Sequence, residues 1–416
     1  MEDCARRAFA LLQKIGFERV SGTPEELRAA RILLDEARAL GVQAELEPFC
    51  VRDGAVSAAA FTVLEPFEKA YPVSGYLRSA PAEARELEFL YAEDMTDANL
   101  TAAKGKLVLI NGRLQYEGLE KLQKAGAAGV MTFSGGLYDE PDKTDLEIRK
   151  LRPLLTDAFG DMLALNLRAA DALALVRDGA RRVRVTVRSE QVERQSHNVC
   201  AVLPGARLPE EIVSFGAHYD SVLFSAGVYD NGAGAVILME LLRHFAAHPP
   251  ARTLHFNWYG SEEQGLLGSK YHAQAHQGDL ARHRLMINVD VAGAVLGSER
   301  AVVTGEQRLE QYVDSMMREA GLPVVVSRDI YSSDSIPFAE QGVPAVNFGR
   351  FAAPGGAAIH SRYDRLDALS PDALASTLRV ARTFADRVVN AAVFPFERII
   401  PDDIAEKVDK YLKKKK

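Results

Sequence analysis

Apolar residues in the second half of the chain form short runs separated by amphipathic segments. From about residue 196 these runs read NVCAVLP, EIVSFGA, ARTLHFNWYG, LMINVDV, AVVTG and VPAVNFG, and each has the length of a single strand. The segment GAGAVILMELLRHFAAH has apolar residues at helical spacing, and further helical segments separate the later runs. This alternation predicts an α/β fold with a mostly parallel mixed sheet and helices on both faces.

The first part of the chain shows two other patterns. MEDCARRAFALLQKIGF and SGTPEELRAARILLDEARALG predict two helices, and QAELEPF alternates like a strand. From about residue 55 to 190, strand-like segments such as KLVLING and AGVMTFS interleave with short helical ones. This stretch has no histidine, so we expect it to supply no metal ligand. It is predicted to be a smaller inserted α/β domain.

Length and charge narrow the class of protein. A chain of 416 residues allows two domains, and a net charge of −7 argues against a nucleic-acid partner. No apolar run approaches the roughly 18 residues of a membrane span, so no membrane partner is expected. The basic C-terminal stretch, in 401–416, is predicted to be a solvated charged tail.

The cysteines indicate a compartment. Cys4, Cys50 and Cys200 are odd in number and far apart, which favours a reducing environment without disulfides. A cytoplasmic location is therefore the expectation. Cys200 lies within a predicted strand and is interpreted as a small core residue.

Chemically useful side chains follow the predicted strands of the second half. They are His218 and Asp220, then Asp230, then Glu262 and Glu263, then Asp290, and finally His360 after a glycine-rich loop. Ligands of such sheets bind outside the carboxyl ends of the strands. Imidazole and carboxylate groups together suit Zn²⁺, and two neighbouring metals need a carboxylate that bridges them. The pattern predicts a zinc site at this edge.

Five short motifs carry a family resemblance. HYDS, VYDNGAGA, SEEQGLLGS, NVD and HSRYD, in this order, resemble the co-catalytic di-zinc exopeptidase family, which includes bacterial leucyl aminopeptidases and plasma glutamate carboxypeptidase. The resemblance covers roughly 196–390 and implies a discontinuous catalytic domain at 1–54 and 191–400. Residues 55–190 resemble the family's protease-associated insert, with a generic α/β insertion as the alternative.

The resemblance implies a role for each site residue. Asp230 would bridge two Zn²⁺ ions per chain, with His218 and Asp290 completing one site and Glu263 and His360 the other. Further roles fall to Asp220, which would orient His218, to Glu262, the general base, and to Tyr331, which would stabilise the oxyanion. The peptide bond after Asp230 is expected to be cis, as it is in the family.

The implied function is a zinc-dependent exopeptidase, and we expect an aminopeptidase acting on short peptides. A carboxypeptidase or dipeptidase is the alternative; Arg350 and Arg362 would then bind a substrate carboxylate instead of pairing with neighbouring acids. Glutaminyl cyclase, with its single zinc, fits less well, and a non-catalytic receptor-like module would lack ligands. The ligand set admits Co²⁺ or Mn²⁺ as substitutes. Monomer and homodimer both stay open.

Two histidine pairs lie outside these motifs. His244 and His248, like His272 and His276, are one helical turn apart, which is a metal-ligand spacing. Neither pair has the glutamate of H-E-x-x-H, so both are predicted to be surface histidines.

Overall fold

The computed structural model describes residues 2–140, 143–151 and 160–412. The chain divides into two compact units. The larger consists of Met1–Val51 with Arg194–Lys416, and the smaller of Arg52–Glu193. No helix of the described residues is long and apolar enough to cross a membrane.

The elements are numbered along the chain. The helices are α1 (Glu2–Ile15), α2 (Pro24–Arg38), α3 (Asp97–Leu100), α4 (Tyr116–Lys124), α5 (Ala169–Arg177), α6 (Ala233–Ala247), α7 (Leu267–Ala275), α8 (Gln277–Leu280), α9 (Gln307–Glu319), α10 (Ser335–Glu340), α11 (Pro371–Asn390) and α12 (Asp402–Leu412). The strands are β1 (Gln43–Glu65), β2 (Lys69–Tyr71), β3 (Val73–Gly75), β4 (Ala82–Tyr91), β5 (Leu107–Leu109), β6 (Gly129–Ser134), β7 (Leu163–Arg168), β8 (Arg182–Leu203), β9 (Leu208–His218), β10 (Arg252–Tyr259), β11 (His283–Val289), β12 (Gly297–Thr304), β13 (Val324–Arg328) and β14 (Ala345–Ala352).

The sheet of the larger unit has the strand order β13-β12-β14-β11-β9-β10-β8. Strands β14, β11, β9 and β10 are parallel neighbours, while β12 and β8 pair antiparallel at either side of them. The predicted α/β class with a mostly parallel mixed sheet is confirmed. His218, the last residue of β9, pairs with Tyr259, the last residue of β10. The loops that follow these strands therefore leave from one edge.

Both faces of this sheet are covered. Along β11, Leu285 and Ile287 belong to one apolar cluster, and Met286 between them belongs to another. The first cluster holds α1, α2, α6 and α11, and the second includes Phe338 of α10. Helix α6 is buried over most of its length, because its AGAVILMELL sequence offers apolar side chains all round.

Local sequence explains where two of the helices begin. Thr23 accepts a hydrogen bond from the Glu26 N–H at the start of α2, and Ser370 accepts one from the Ala373 N–H at the start of α11. Each helix then opens with proline, whose missing N–H needs no partner at this position.

The strands of the smaller unit are also mostly parallel. Strands β4, β5, β6 and β7 are parallel neighbours, β3 pairs antiparallel with β7, and residues 182–187 of β8 pair antiparallel with β4. Apolar residues alternate between two clusters along β5, where Leu107 and Leu109 join one and Val108 the other. The protease-associated-like character of this unit stays a prediction.

The prediction of a solvated tail at 401–416 is wrong for its described part. Residues 402–412 form α12, and Ile404 and Val408 are buried against Leu266, Ile336 and Ala339. The lysine-rich end of the sequence obscured this pair of apolar residues, which lie one helical turn apart and share a face. Residues 413–416 lie outside the described part of the chain.

Candidate metal centre

Five segments at the carboxyl edge of the larger sheet supply the predicted site residues. His218 ends β9, Asp290 directly follows β11, and Glu262 and Glu263 follow β10. Asp230 lies in the turn Val228–Gly232 before α6, and the Asp230–Asn231 peptide bond is cis, as expected. His360 lies in the loop after β14.

The predicted ligands converge into two groups that share one residue. His218, Asp230 and Asp290 form one group, and Asp230, Glu263 and His360 form the other. Within each group, one potential ligand atom per residue lies within 4.8 Å of the others. The grouping is the one that the family resemblance implied.

Asp230 presents its two oxygens to different histidines. The His218 Nε2 atom is 3.2 Å from Asp230 Oδ1, and the His360 Nε2 atom is 3.1 Å from Asp230 Oδ2. On the outer sides, His218 Nε2 is 3.6 Å from Asp290 Oδ1 and His360 Nε2 is 3.0 Å from Glu263 Oε2. A carboxylate that faces two separate ligand pairs has the arrangement of a bridge between two ions.

The charges of these groups suit bound cations. Burial opposes protonation of His360, but hydrogen bonds to Asp230 and Glu263 raise its pKa to about 10. Burial likewise opposes protonation of His218, yet Glu262 and three aspartates raise its pKa well above the usual value. The carboxylates thus create a strongly negative site. The Glu263 Oε1 atom is buried and has no hydrogen-bond partner among the described residues. Both observations fit a site built for divalent ions.

Glu262 and Glu263 differ in their surroundings. Glu263 belongs to a ligand group, whereas Glu262 belongs to neither group and its Oε2 atom lies 3.9 Å from His218 Nε2. Burial raises the pKa of Glu262 well above its usual value. A carboxyl group that is outside the ligand groups and has a high proton affinity is suited to proton transfer.

Asp220 connects this loop to His218. Its Oδ1 atom is 3.3 Å from His218 Nδ1. The same carboxylate accepts hydrogen bonds from the backbone N–H groups of Glu262 and Glu263, at 3.0 and 3.2 Å. It is therefore placed to orient the imidazole, as predicted, and also to fix the backbone of both glutamates.

Two buried residues without a predicted role support the centre. Asp364 accepts hydrogen bonds from the N–H groups of Val228, Tyr229 and Asp230. Burial raises the pKa of this carboxyl to about 7. The only sequence signal for Asp364 was its position at the end of HSRYD, four residues after His360.

The second is Arg19, which is fully buried. It donates to the carbonyl groups of Tyr219, Ala226 and Gly227, next to the loops that carry Asp220 and Asp230. Arg19 is far from the ligands in sequence and belongs to none of the motifs. Its partners are backbone carbonyls, which every residue type offers, so the sequence does not indicate this role.

Tyr331 lies close to the centre. Burial raises its pKa well above the usual value, and the carboxylates of Asp290 and Asp230 raise it further. Its ring packs against Phe351 at a centroid distance of 5.6 Å. The phenol is therefore protonated at neutral pH and would be able to donate a hydrogen bond.

Arg350 is engaged by the protein itself. Its guanidinium is 3.1 Å from Glu299 and donates to the carbonyl groups of Ala294 and Val295. The alternative in which this arginine pairs with a neighbouring acid is the one observed.

The prediction of surface histidines is wrong for His272, which has only 4% of its surface exposed. The reason is that α7 directs this side chain towards β1, where Glu47 accepts its hydrogen bond. A position in the later part of a helix does not reveal which face the protein covers.

Comparisons with known proteins agree with this site. Residues 198–385 match the model of peptidase family M28, and this range contains all the predicted ligands. The chain is similar to that family over this range. The match and the relatives described below support a hydrolase that acts on peptides.

Curated relatives share part of their length with the chain. It is 28% identical over 352 residues to "Aminopeptidase YwaD" of Bacillus subtilis, covering 79% of this chain and 71% of that protein. It is 30% identical over 219 residues to a "Probable leucine aminopeptidase" of Arthroderma otae, covering 48% of this chain and 58% of that protein.

Two solved structures show the same fold over nearly the whole length. BSAP, a zinc aminopeptidase from Bacillus subtilis, superposes with a TM-score of 0.78 at 21% identity, covering 96% of this chain and 98% of that one. A peptidase M28 precursor from Shewanella amazonensis gives a TM-score of 0.76 at 22% identity, with the same coverage of both chains.

Proposed function

We propose that this chain is a zinc-dependent aminopeptidase that removes N-terminal residues from short peptides. The observation that carries the proposal is the arrangement around Asp230, whose two oxygens face His218 and His360 while Glu262 stands beside them. The names of the relatives, in particular "Aminopeptidase YwaD", support hydrolysis from the N-terminal end of the peptide.

The proposed centre holds two Zn²⁺ ions. His218, Asp230 and Asp290 would bind one, and Asp230, Glu263 and His360 the other. Ions bound there polarise the scissile carbonyl and lower the pKa of a bound water towards neutrality. Co²⁺ and Mn²⁺ are proposed substitutes, because imidazole and carboxylate ligands discriminate weakly among these metals.

Glu262 is the proposed general base. Its carboxylate would accept a proton from the attacking water and deliver it to the departing amine. Asp220 holds the Glu262 backbone through the hydrogen bond from its N–H group, so the side chain starts from a fixed position. The burial that raises the pKa of Glu262 also favours retention of the proton between the two steps.

Tyr331 would donate a hydrogen bond to the carbonyl oxygen as it gains negative charge. The raised pKa keeps the phenol protonated, as this role requires. The carboxylates of Asp230 and Asp290 also raise this pKa, which supports a position of the phenol within range of their charges.

The side chains fit an aminopeptidase better than a carboxypeptidase. Two bound Zn²⁺ ions would balance the carboxylates of the centre, so a carboxypeptidase would still need a cationic side chain that holds the substrate carboxylate. Arg350 is committed to Glu299 and two backbone carbonyls. The test compares the hydrolysis of peptides that are blocked at the N-terminus with that of peptides blocked at the C-terminus.

A cytoplasmic location also stays a proposal. It rests on Cys4, Cys50 and Cys200, all of which are unpaired.

A further inference from the structure

A second cluster of metal-binding side chains lies at the surface of the larger unit, outside the candidate centre. It joins Glu47 of β1 with His272 of α7 and His276 at the end of that helix. The ligand atoms of these three residues lie within 4.8 Å of one another. Cys200 of β8 approaches the same point, with its Sγ atom 3.9 Å from His272 Nδ1 and 4.0 Å from Glu47 Oε2.

We propose that Glu47, Cys200, His272 and His276 form an additional binding site for a divalent transition-metal ion, with Zn²⁺ as the occupant. Two imidazoles, one carboxylate and one thiolate are four ligands of the types that zinc accepts. The ion would differ from those of the candidate centre in having a sulfur ligand.

The spacing of the donor atoms is close to that of a tetrahedral site. Zinc bonds of about 2.0–2.3 Å place neighbouring ligand atoms roughly 3.3–3.8 Å apart in a tetrahedron. In the structure, His272 Nδ1 is 3.1 Å from Glu47 Oε2, and His276 Nε2 is 2.6 Å from Glu47 Oε1. The sulfur contacts are 3.9 and 4.0 Å, so these four separations lie within about 1 Å of the tetrahedral value, and small side-chain rotations would bring Cys200 to the group that Glu47, His272 and His276 already form.

The Glu47 carboxylate would attract a cation to this cluster, whereas Cys200 must lose a proton before it can bind one. Burial raises the pKa of Cys200 well above its usual value, and the Glu47 carboxylate raises it further. The group is therefore a neutral thiol until an ion arrives, and binding would release the thiol proton to solvent. Glu47 and the resulting thiolate would together balance the two positive charges of the ion.

The site is connected to the loop of Glu262 and Glu263. The side-chain amide of Asn198 donates to Glu47 Oε2 at 2.6 Å and to the Gly268 carbonyl at 3.0 Å. Its oxygen accepts from the Gly260 N–H at 3.2 Å. Gly260 and Gly268 stand on either side of the loop, so an ion that fixes Glu47 would also restrain both ends of that loop. We infer a stabilising role for the ion.

Cobalt spectroscopy tests this proposal independently of catalysis. The candidate centre has only nitrogen and oxygen ligands, so a thiolate-to-cobalt absorption in the near ultraviolet would report the new site alone. We expect Co²⁺-loaded protein to show this band, Cys200→Ser to abolish it, and Cys50→Ser to retain it. Absence of the band in the unaltered protein, or its persistence in Cys200→Ser, would overturn the proposal.

Zinc counting gives a second readout. His276→Ala should bind one zinc fewer than the unaltered protein and lose the extra thermal stability that zinc confers through this site. His276 is 47% exposed at its side chain, so its removal should leave the fold intact. The matched control is His248→Ala, from the pair with the same spacing on α6, which should change neither value. Equal zinc content in His276→Ala and the unaltered protein would refute the site, whether or not the chain proves to be an aminopeptidase.

Discussion

The carboxylate of Asp364 accepts a hydrogen bond from the backbone N–H of Asp230, at a distance of 3.1 Å. The two residues are 134 positions apart in sequence. The other oxygen of Asp364 accepts from the N–H groups of Val228 and Tyr229. One buried side chain thus holds the whole turn that presents the proposed bridging carboxylate, and it lies four residues after His360, a proposed ligand of the second ion.

Replacement of Asp364 by asparagine should weaken metal binding. The amide retains one acceptor oxygen but offers N–H groups where Asp230 requires an acceptor, so the turn loses at least one hydrogen bond. We expect a loss of about 10–100-fold in zinc affinity, the usual effect of changing a residue that orients ligands. Competition with a chromophoric chelator would measure it. Asp367→Asn is the control, since this side chain is exposed and pairs with Arg365, two residues away. Unchanged affinity in Asp364→Asn would contradict the positioning role.

The neighbouring glutamates should respond differently to substitution. Glu262→Gln should keep both ions of the centre and lower kcat by about two to four orders of magnitude, because the amide cannot accept the proton. Glu263→Ala should weaken binding of one ion, and added zinc should restore part of its activity. Steady-state kinetics combined with metal analysis separates these outcomes. If Glu262→Gln loses an ion while Glu263→Gln keeps both, the roles are reversed.

The candidate centre should bind two metal ions, and all hydrolytic activity should depend on them. In the His276→Ala background, which lacks the additional site, we expect two zinc ions per chain. Exhaustive chelation should remove both and abolish hydrolysis, and added Zn²⁺ should restore it. Full activity after chelation would contradict the metallopeptidase mechanism, and one ion with Asp290 uncoordinated would contradict the bridged pair.

The sheet and the convergence of the candidate ligands could be predicted from the sequence, and the reason is physical. Carboxyl ends of parallel strands meet at one edge, so His218, Glu262 and Asp290 had to approach one another once their strands were recognised. His360 was predicted from the family motifs alone, because it lies in a loop and not directly after a strand, so the strand pattern does not indicate its position.

Features that depend on packing were not predictable in this way. The approach of Glu47 to His272 requires β1 to lie beside α7, and nothing in the sequence near either residue indicates this neighbour. The helix at 402–412 was missed because a run of lysines outweighed two apolar residues in the interpretation. Arg19 binds backbone carbonyls, and such partners leave no mark on the sequence.

Asp334 should make stability depend on pH. This fully buried carboxyl has neither oxygen hydrogen-bonded within the described residues, and burial raises its pKa to about 7. The folded protein therefore binds the proton more tightly than the unfolded chain, whose value is near 3.8. The free energy of unfolding should be unaffected by this group below the lower value and should fall as the pH rises towards 7. Asp334→Asn should remove this fall.

The comparison uses metal-free protein, because nearby cations would also stabilise the carboxylate. Denaturant unfolding of both proteins at a series of pH values gives the difference directly. Asp386→Asn serves as a control for a carboxylate that is partly exposed. A difference between Asp334→Asn and the unaltered protein that is constant across this pH range would contradict the raised pKa.

Blocking the two ends of a peptide should have unequal effects. Acetylation of the N-terminus removes the free amine that an aminopeptidase must bind, so kcat/KM should fall by at least about 100-fold, the equivalent of roughly 3 kcal/mol. Amidation of the C-terminus should change kcat/KM by less than about threefold, because Arg350 is held by Glu299 and is not available to a substrate carboxylate. One tripeptide in its free, acetylated and amidated forms, followed by release of the first residue, provides matched substrates. Arg350→Lys should leave the ratio between the free and amidated forms unchanged. A large loss on amidation with little loss on acetylation would reverse the assignment and make the chain a carboxypeptidase.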